Sequence, residues 1–121
     1  MTARILIVDD EFGLAEVVAG MLADRGHEVD VAINGEVALS RMAERAPDLV
    51  LLDVMMPLLD GPELLRQMRA QETLAGVPVI LMTSIPSLVP ADVRLIHQGV
   101  LTKPFTPDQL LAMVERALPV G

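Results

Sequence analysis

The chain has 121 residues, no cysteine and a formal net charge of −8. One domain spanning 1–121 is the expectation at this length, with enough chain to bury a core unaided, and the missing cysteines exclude disulfides and thiolate metal sites. The acidic balance argues against a nucleic-acid surface, no apolar run approaches the roughly 20 residues of a membrane span, and the first residues do not read as a signal peptide, so a cytoplasmic protein is expected.

Arg4 to Val8 is a short β-branched apolar run that predicts a strand, ended by Asp9-Asp10-Glu11. Leu14, Val17, Val18, Met21 and Leu22 then recur at helical spacing, and Gly26 is a stop signal. Glu28 to Ile33 alternates as a half-buried strand does, Asn34-Gly35 marks a turn, and Glu36 to Ala46 predicts a weaker amphipathic helix halted before Pro47. Leu49-Val-Leu-Leu runs straight into Asp53, the pattern of a short buried strand, and Pro57 and Gly61 turn the chain away. Pro62 suits the first turn of a helix whose buried stripe is Leu64, Leu65 and Met68. Val79 to Met82 predicts the next strand, ending at Thr83-Ser84. Residues 90–98 predict a short helix closed by Gly99, then Val100 to Thr102 a very short strand ended by Lys103-Pro104, and Pro107 to Leu118 a final helix. Strand and helix thus alternate five times, which argues an α/β fold: a doubly wound, five-stranded parallel sheet with five helices on its two faces. Aromatic residues amount to two Phe, so core volume falls to Leu, Val, Ile and Met.

Asp9-Asp10, Asp53, Thr83 and Lys103 each fall at the carboxyl end of a predicted strand, where open parallel sheets bind ligands. Strands must end somewhere in polar loops, so a chance gathering is the alternative. Three carboxylates on one rim repel, and they must hold a cation or take up protons. Oxygen donors without nearby His or Cys suggest Mg²⁺. A divalent ion, a lysine and a hydroxyl around one carboxylate suit phosphoryl transfer to that carboxylate. Taken singly, each residue has a plainer reading. Asp9, Asp10 or Glu11 would cap the first helix, Asp60 would be a turn residue or cap, and Thr83 or Ser84 would bond the following loop. Lys103, His27 and His97 would lie on the surface, and Met55 and Met56 would be packing or loop residues.

Ile5-Leu-Ile-Val-Asp9-Asp10-Glu11, Asp53-Val-Met-Met-Pro57-Leu-Leu-Asp60-Gly61, Val79-Ile-Leu-Met-Thr83-Ser84 and Lys103-Pro104-Phe105, in this order, resemble the receiver domain of response regulators in two-component signalling, over essentially the whole chain. The resemblance implies a flavodoxin-like fold with strand order 2-1-3-4-5. It implies that Asp53 is the phosphoacceptor, that Asp10, Asp53 and the Met55 carbonyl ligate Mg²⁺, and that Asp9 acts mostly through a metal-bound water. It implies that Thr83 is the switch hydroxyl, that Lys103 pairs with Asp53 and later with the phosphoryl group, and that the Lys103–Pro104 bond is cis. The implied partners are a sensor histidine kinase or histidine phosphotransfer protein as donor and a downstream effector protein. Direct nucleic-acid or membrane contact is not implied, and a dimer is allowed. Such a module is not an enzyme in the ordinary sense, although it catalyses its own phosphotransfer and dephosphorylation.

Three departures from the family pattern stand out. Val100 occupies the place of a switch aromatic, three residues before Lys103, and a valine cannot make the same large rotamer exchange. The stretch from Thr83 to Lys103 is about two residues short, around Gly99-Val100. Ser84 replaces a smaller residue and, with Met55, would tune access to the phosphoryl group. A phosphorylation-independent interaction module of the same fold is the competing function. A phosphohydrolase would need a second acid just after Asp53, where Val54, Met55 and Met56 stand, and Asp-Asp-Glu-Phe-Gly is no glycine-rich nucleotide loop.

Overall fold

Every residue of the run Leu49–Asp53 is buried, and this strand lies at the centre of the sheet. A computed structural model describes residues 2–93, 97 and 99–118. Within them the apolar runs form β1 (Arg4–Val8), β2 (Glu28–Ala32), β3 (Leu49–Asp53), β4 (Val79–Thr83) and β5 (Gly99–Thr102). All neighbours pair in parallel, in the order β2-β1-β3-β4-β5. β3 and β4 are buried throughout because helices cover both faces, which explains their unbroken hydrophobic sequence.

The described residues contain α1 (Phe12–Ala23), α2 (Gly35–Glu44), α3 (Gly61–Ala70) and α4 (Pro107–Ala117). Four helices therefore stand where the sequence predicts five. Of the span 90–98 expected to be helical, Pro90 to Val93 form a turn closed by a 3.1 Å bond from the Val93 N–H to the Pro90 carbonyl, and 94–96 and 98 lie outside the described residues. Gly99 opens β5, opposite Ile80.

The core has two layers. Leu64, Leu65 and Met68 of α3, with Ala38 and Met42 of α2, cover one face. Ala15, Val18 and Leu22 of α1, with Leu110 and Val114 of α4, cover the other. Side chains start three of the helices: Asn34 accepts from the Val37 N–H, Asp60 from the Glu63 N–H, and Thr106 and Gln109 form a reciprocal capping box. α1 begins at Glu11 without a side-chain cap, so the plain capping role does not hold for that acid. Gly26 holds φ at +89°, the left-handed turn that lets the chain leave α1 for β2. His27 is not a simple surface residue: its Nδ1 accepts from the Ala3 N–H at 3.2 Å, tying the start of the chain to β2. His97 is likewise half-buried, and burial pulls its pKa down.

Candidate functional site

The backbone ladder continues one residue past the strand ends. The Asp9 N–H donates to the Ala32 carbonyl at 3.1 Å, the Val54 N–H to Met82 at 3.0 Å, and the Lys103 N–H to Thr83 at 2.9 Å. These bonds bring residues distant in sequence onto one rim. Asp9, Asp10 and Asp53 each offer a carboxylate oxygen within 4.8 Å of the others, a cluster able to hold a metal ion. Asp9 is fully buried, Asp53 is 7 % exposed, and Asp10 is open to solvent. The donor set is entirely hard oxygen, which fits Mg²⁺ or a similar hard cation and offers nothing to a soft one.

Lys103 reaches into this cluster, and the Lys103–Pro104 bond is cis. Its Nζ lies 3.2 Å from Asp9 Oδ2, which it hydrogen-bonds, and 3.7 Å from Asp53 Oδ1, so the ion pair with Asp53 that the resemblance implied is present and shared with Asp9. The remaining Asp9 oxygen accepts the Glu11 N–H at 2.9 Å. One lysine does not neutralise this pit. The Asp53 carboxyl is pushed from 3.8 up to about 6, first by burial and then by the neighbouring Asp9 charge, with Lys103 pulling the other way. A buried carboxyl that resists ionisation until a cation arrives is the electrostatic signature of an incompletely compensated site.

Thr83 behaves differently. Along β3, Asp53 shares its face with Leu49 and Leu51, which pack toward α1 and α4; along β4, Thr83 shares its face with Val79 and Leu81, which pack toward α2 and α3. The hydroxyl therefore starts from the opposite side of the sheet, and Thr83 Oγ1 accepts from the Ile85 N–H at 3.1 Å. The plain expectation of a loop-bonding threonine holds in this state. Ser84 is exposed on the same loop, and Met55 is 59 % exposed at the mouth of the pit, its backbone N–H facing the Asp53 carboxyl and lowering its pKa. Val100 is half-buried against the α2/α3 core layer.

Three residues matter here in ways that the sequence did not signal. Gly61 opens α3 directly against β3: a Cβ there would lie 2.3 Å from the Asp53 carbonyl oxygen, so any side chain would push the strand end aside. Arg66 of α3 forks onto Asp92, with Nε 2.8 Å from Oδ2 and Nη2 3.1 Å from Oδ1. The fork raises the arginine pKa and lowers that of Asp92. The (i, i+3) spacing of Glu63 and Arg66 marks a helix-surface pair, but nothing in the sequence connects Arg66 to an acid 26 residues away. Between β3 and α3, Leu58 sits at φ +70° and is 84 % exposed, a conformation that costs an L residue about 1–2 kcal/mol.

A family model described as the response regulator receiver domain matches residues 5–115. The chain is 42 % identical over 123 residues to the regulatory protein AtoC of Escherichia coli and 38 % identical over 122 residues to the DNA-binding response regulator MtrA of Mycobacterium tuberculosis. In each case 98 % of this chain is covered, against 26 % of AtoC and 51 % of MtrA, so it spans from a quarter to half of these relatives. The chemotaxis response regulator CheY4 of Vibrio cholerae superposes with a TM-score of 0.89 at 31 % identity, covering 98 % of this chain and 100 % of that one. No described helix is long and apolar enough to cross a membrane. The sheet order, the acid cluster at its carboxyl edge and these matches together place the chain in the response regulator receiver domain family of two-component signalling.

Proposed function

We propose that the 121 residues act as one cytoplasmic receiver unit in which Asp53 takes a phosphoryl group from a phosphohistidine on a sensor histidine kinase or a histidine phosphotransfer protein. A carboxylate oxygen of Asp53 attacks phosphorus, the phosphorus–nitrogen bond breaks, and the imidazole nitrogen leaves with the bonding pair. Asp10, Asp53 and the Met55 carbonyl would hold Mg²⁺, with Asp9 acting mostly through a bound water. When bound, the ion supplies charge neutralisation for the incoming phosphoryl oxygens.

This chain's own groups do the rest. Lys103 is already anchored on Asp9 and stands 3.7 Å from Asp53, close enough to stabilise negative charge arriving there. Thr83 would leave the Ile85 N–H and donate its hydroxyl proton to a phosphoryl oxygen. Ser84 and Met55 would set how readily water reaches the acyl phosphate. The change is read by a downstream effector protein through a shifted surface. The net charge of −8 argues against a nucleic-acid surface on the unit itself. Two such units could also pair.

The observation that carries this reading is the convergence of a cation-accepting acid cluster and one lysine on a single buried carboxyl. Incubation with acetyl phosphate and Mg²⁺, followed by intact mass and peptide mapping, tests it. One phosphoryl mass on Asp53, absent without Mg²⁺ and absent in Asp53→Ala, is the expected result. No mass gain would favour the phosphorylation-independent interaction module, and rapid turnover of a phosphomonoester would favour a hydrolase.

A further inference from the structure

Asp53 and Thr83 are joined by a second route that avoids the acid pit altogether. It starts where Gly61 seats α3 against the Asp53 carbonyl. It crosses from α3 to the connection between β4 and β5 through the two-armed contact of Arg66 with Asp92. A third contact, from Arg66 Nη1 to Glu63 Oε2 at 3.4 Å, ties the guanidinium to its own helix as well. Val89 and Val93, 3 % and 0 % exposed, plug the loop into the core on either side of Pro90. The Leu88 N–H then donates to the Ile85 carbonyl at 3.0 Å, and the Ile85 N–H to Thr83 Oγ1 at 3.1 Å, which closes the circuit at the site.

Thr83 cannot approach the face of the sheet that carries Asp53 without giving up Ile85. Ile85 cannot follow it unless the segment after β4 gives, and Arg66 grips that segment at Asp92, beyond the buried Val89. On β5, Val100 fills its place against the core without an aromatic ring to turn. The geometry points to Arg66 and Asp92 as positioning residues: their fork holds the 85–92 loop, keeps Thr83 on its resting partner, and sets the threshold for its move toward Asp53. This inference rests on the phosphoacceptor reading of Asp53. The fork acts through the loop and touches no reacting atom. Because the pair is partly exposed, with side chains 40 % and 60 % accessible, its leverage is moderate. An exposed two-armed pair of this kind shifts an equilibrium by about two- to fivefold.

The test uses the full chain with Arg66→Gln, Asp92→Asn, the double variant and the conservative Asp92→Glu. Without any ligand, amide hydrogen exchange at Ile85 and Leu88 should quicken by about two- to fivefold in either single variant and no further in the double, because one contact is being removed. Asp92→Glu should restore most of the protection. With Mg²⁺ present, beryllofluoride, a phosphoryl mimic, should bind those same single variants tighter by the same factor, while the affinity for Mg²⁺ alone stays unchanged. Unchanged exchange at Ile85 in the single variants, with a wild-type protein that binds beryllofluoride, overturns the latch and leaves the phosphoacceptor intact. Additive effects in the double variant, or Mg²⁺ affinity falling in step, overturn it too, since either would mean general damage to α3. A wild-type protein that takes no beryllofluoride, with the exchange pattern as expected, overturns the threshold role together with the phosphoacceptor reading.

Discussion

At the ends of β1 and β3 the polar groups around Asp53 are held from several sides. Asp9 is fixed by the Lys103 ammonium and the Glu11 N–H, Asp53 follows a fully buried strand, and Gly61 packs α3 against its carbonyl. At the ends of β4 and β5 the groups are held by the loop. Thr83 bonds the Ile85 N–H, Ser84 is exposed, and Val100 is half-buried with no ring to swing. The difference separates two tasks. Gathering charge needs only the register of a parallel sheet, which is stiff and set by core packing. Moving the Thr83 hydroxyl across the sheet, as the proposed function requires, would need a segment with two arrangements.

Removing Lys103 probes the acid side hardest. Lys103→Met should slow phosphorylation of Asp53 by about a hundredfold or more, the cost of losing one preorganised charge partner. Mg²⁺ should bind this variant tighter, because the ion and the ammonium compensate the same carboxylates. Equal losses of both properties, read by mass spectrometry and calorimetry, would break the claim that the acid side is electrostatically self-contained. Gly61→Ala comes next. A Cβ against backbone cannot be accommodated by a side-chain rotation, so urea unfolding should show a loss of about 2–3 kcal/mol. Gly35→Ala, whose Cβ would come within 2.7–2.9 Å of Leu59 Cβ, Cγ and Cδ2 rather than of backbone, should cost less, about 1–2 kcal/mol.

The pH response sharpens the same contrast. The folded carboxyl of Asp53, raised from 3.8 to about 6, holds its proton more tightly than the unfolded chain does. Its contribution to stability therefore falls as pH rises from about 4 to about 6 and stays low above that. In metal-free protein, Asp53→Asn should be more stable than wild type by on the order of 2 kcal/mol at pH 7 and equal to it below about pH 4. Added Mg²⁺ should reverse the order at pH 7, and its affinity should fall by about tenfold per pH unit below about 6. On the other side of the rim the smallest effect is expected. Val100 borders a groove of about 500 Å³ with Thr102, Gln109, Met113 and Arg116. The Val100 side chain itself packs toward the α2/α3 layer at a half-buried edge position, so Val100→Tyr should change stability by about 1 kcal/mol. Beryllofluoride should then shift the amides of α4 in the tyrosine variant and leave them unmoved in wild type.

The strands, their parallel arrangement, the stop at Gly26, the cap at Asp60 and the acid cluster were all legible in the chain as written. Each depends on local periodicity, on turn chemistry or on the rule that parallel strands present their carboxyl ends on one edge. The cis Lys103–Pro104 bond followed from the family resemblance alone. What only the tertiary structure decided is how those ends are wired. Residues 9 and 103 meet because β1 and β5 flank the same central pair of strands, and Lys103 settles nearer Asp9 than Asp53. Thr83 faces away because strand alternation puts it opposite Asp53, and Arg66 finds Asp92 across a loop that no periodicity describes. Sequence patterns report which side of one element is buried. Contacts between elements depend on register and packing, which exist only once the sheet and its helices have closed on a common core.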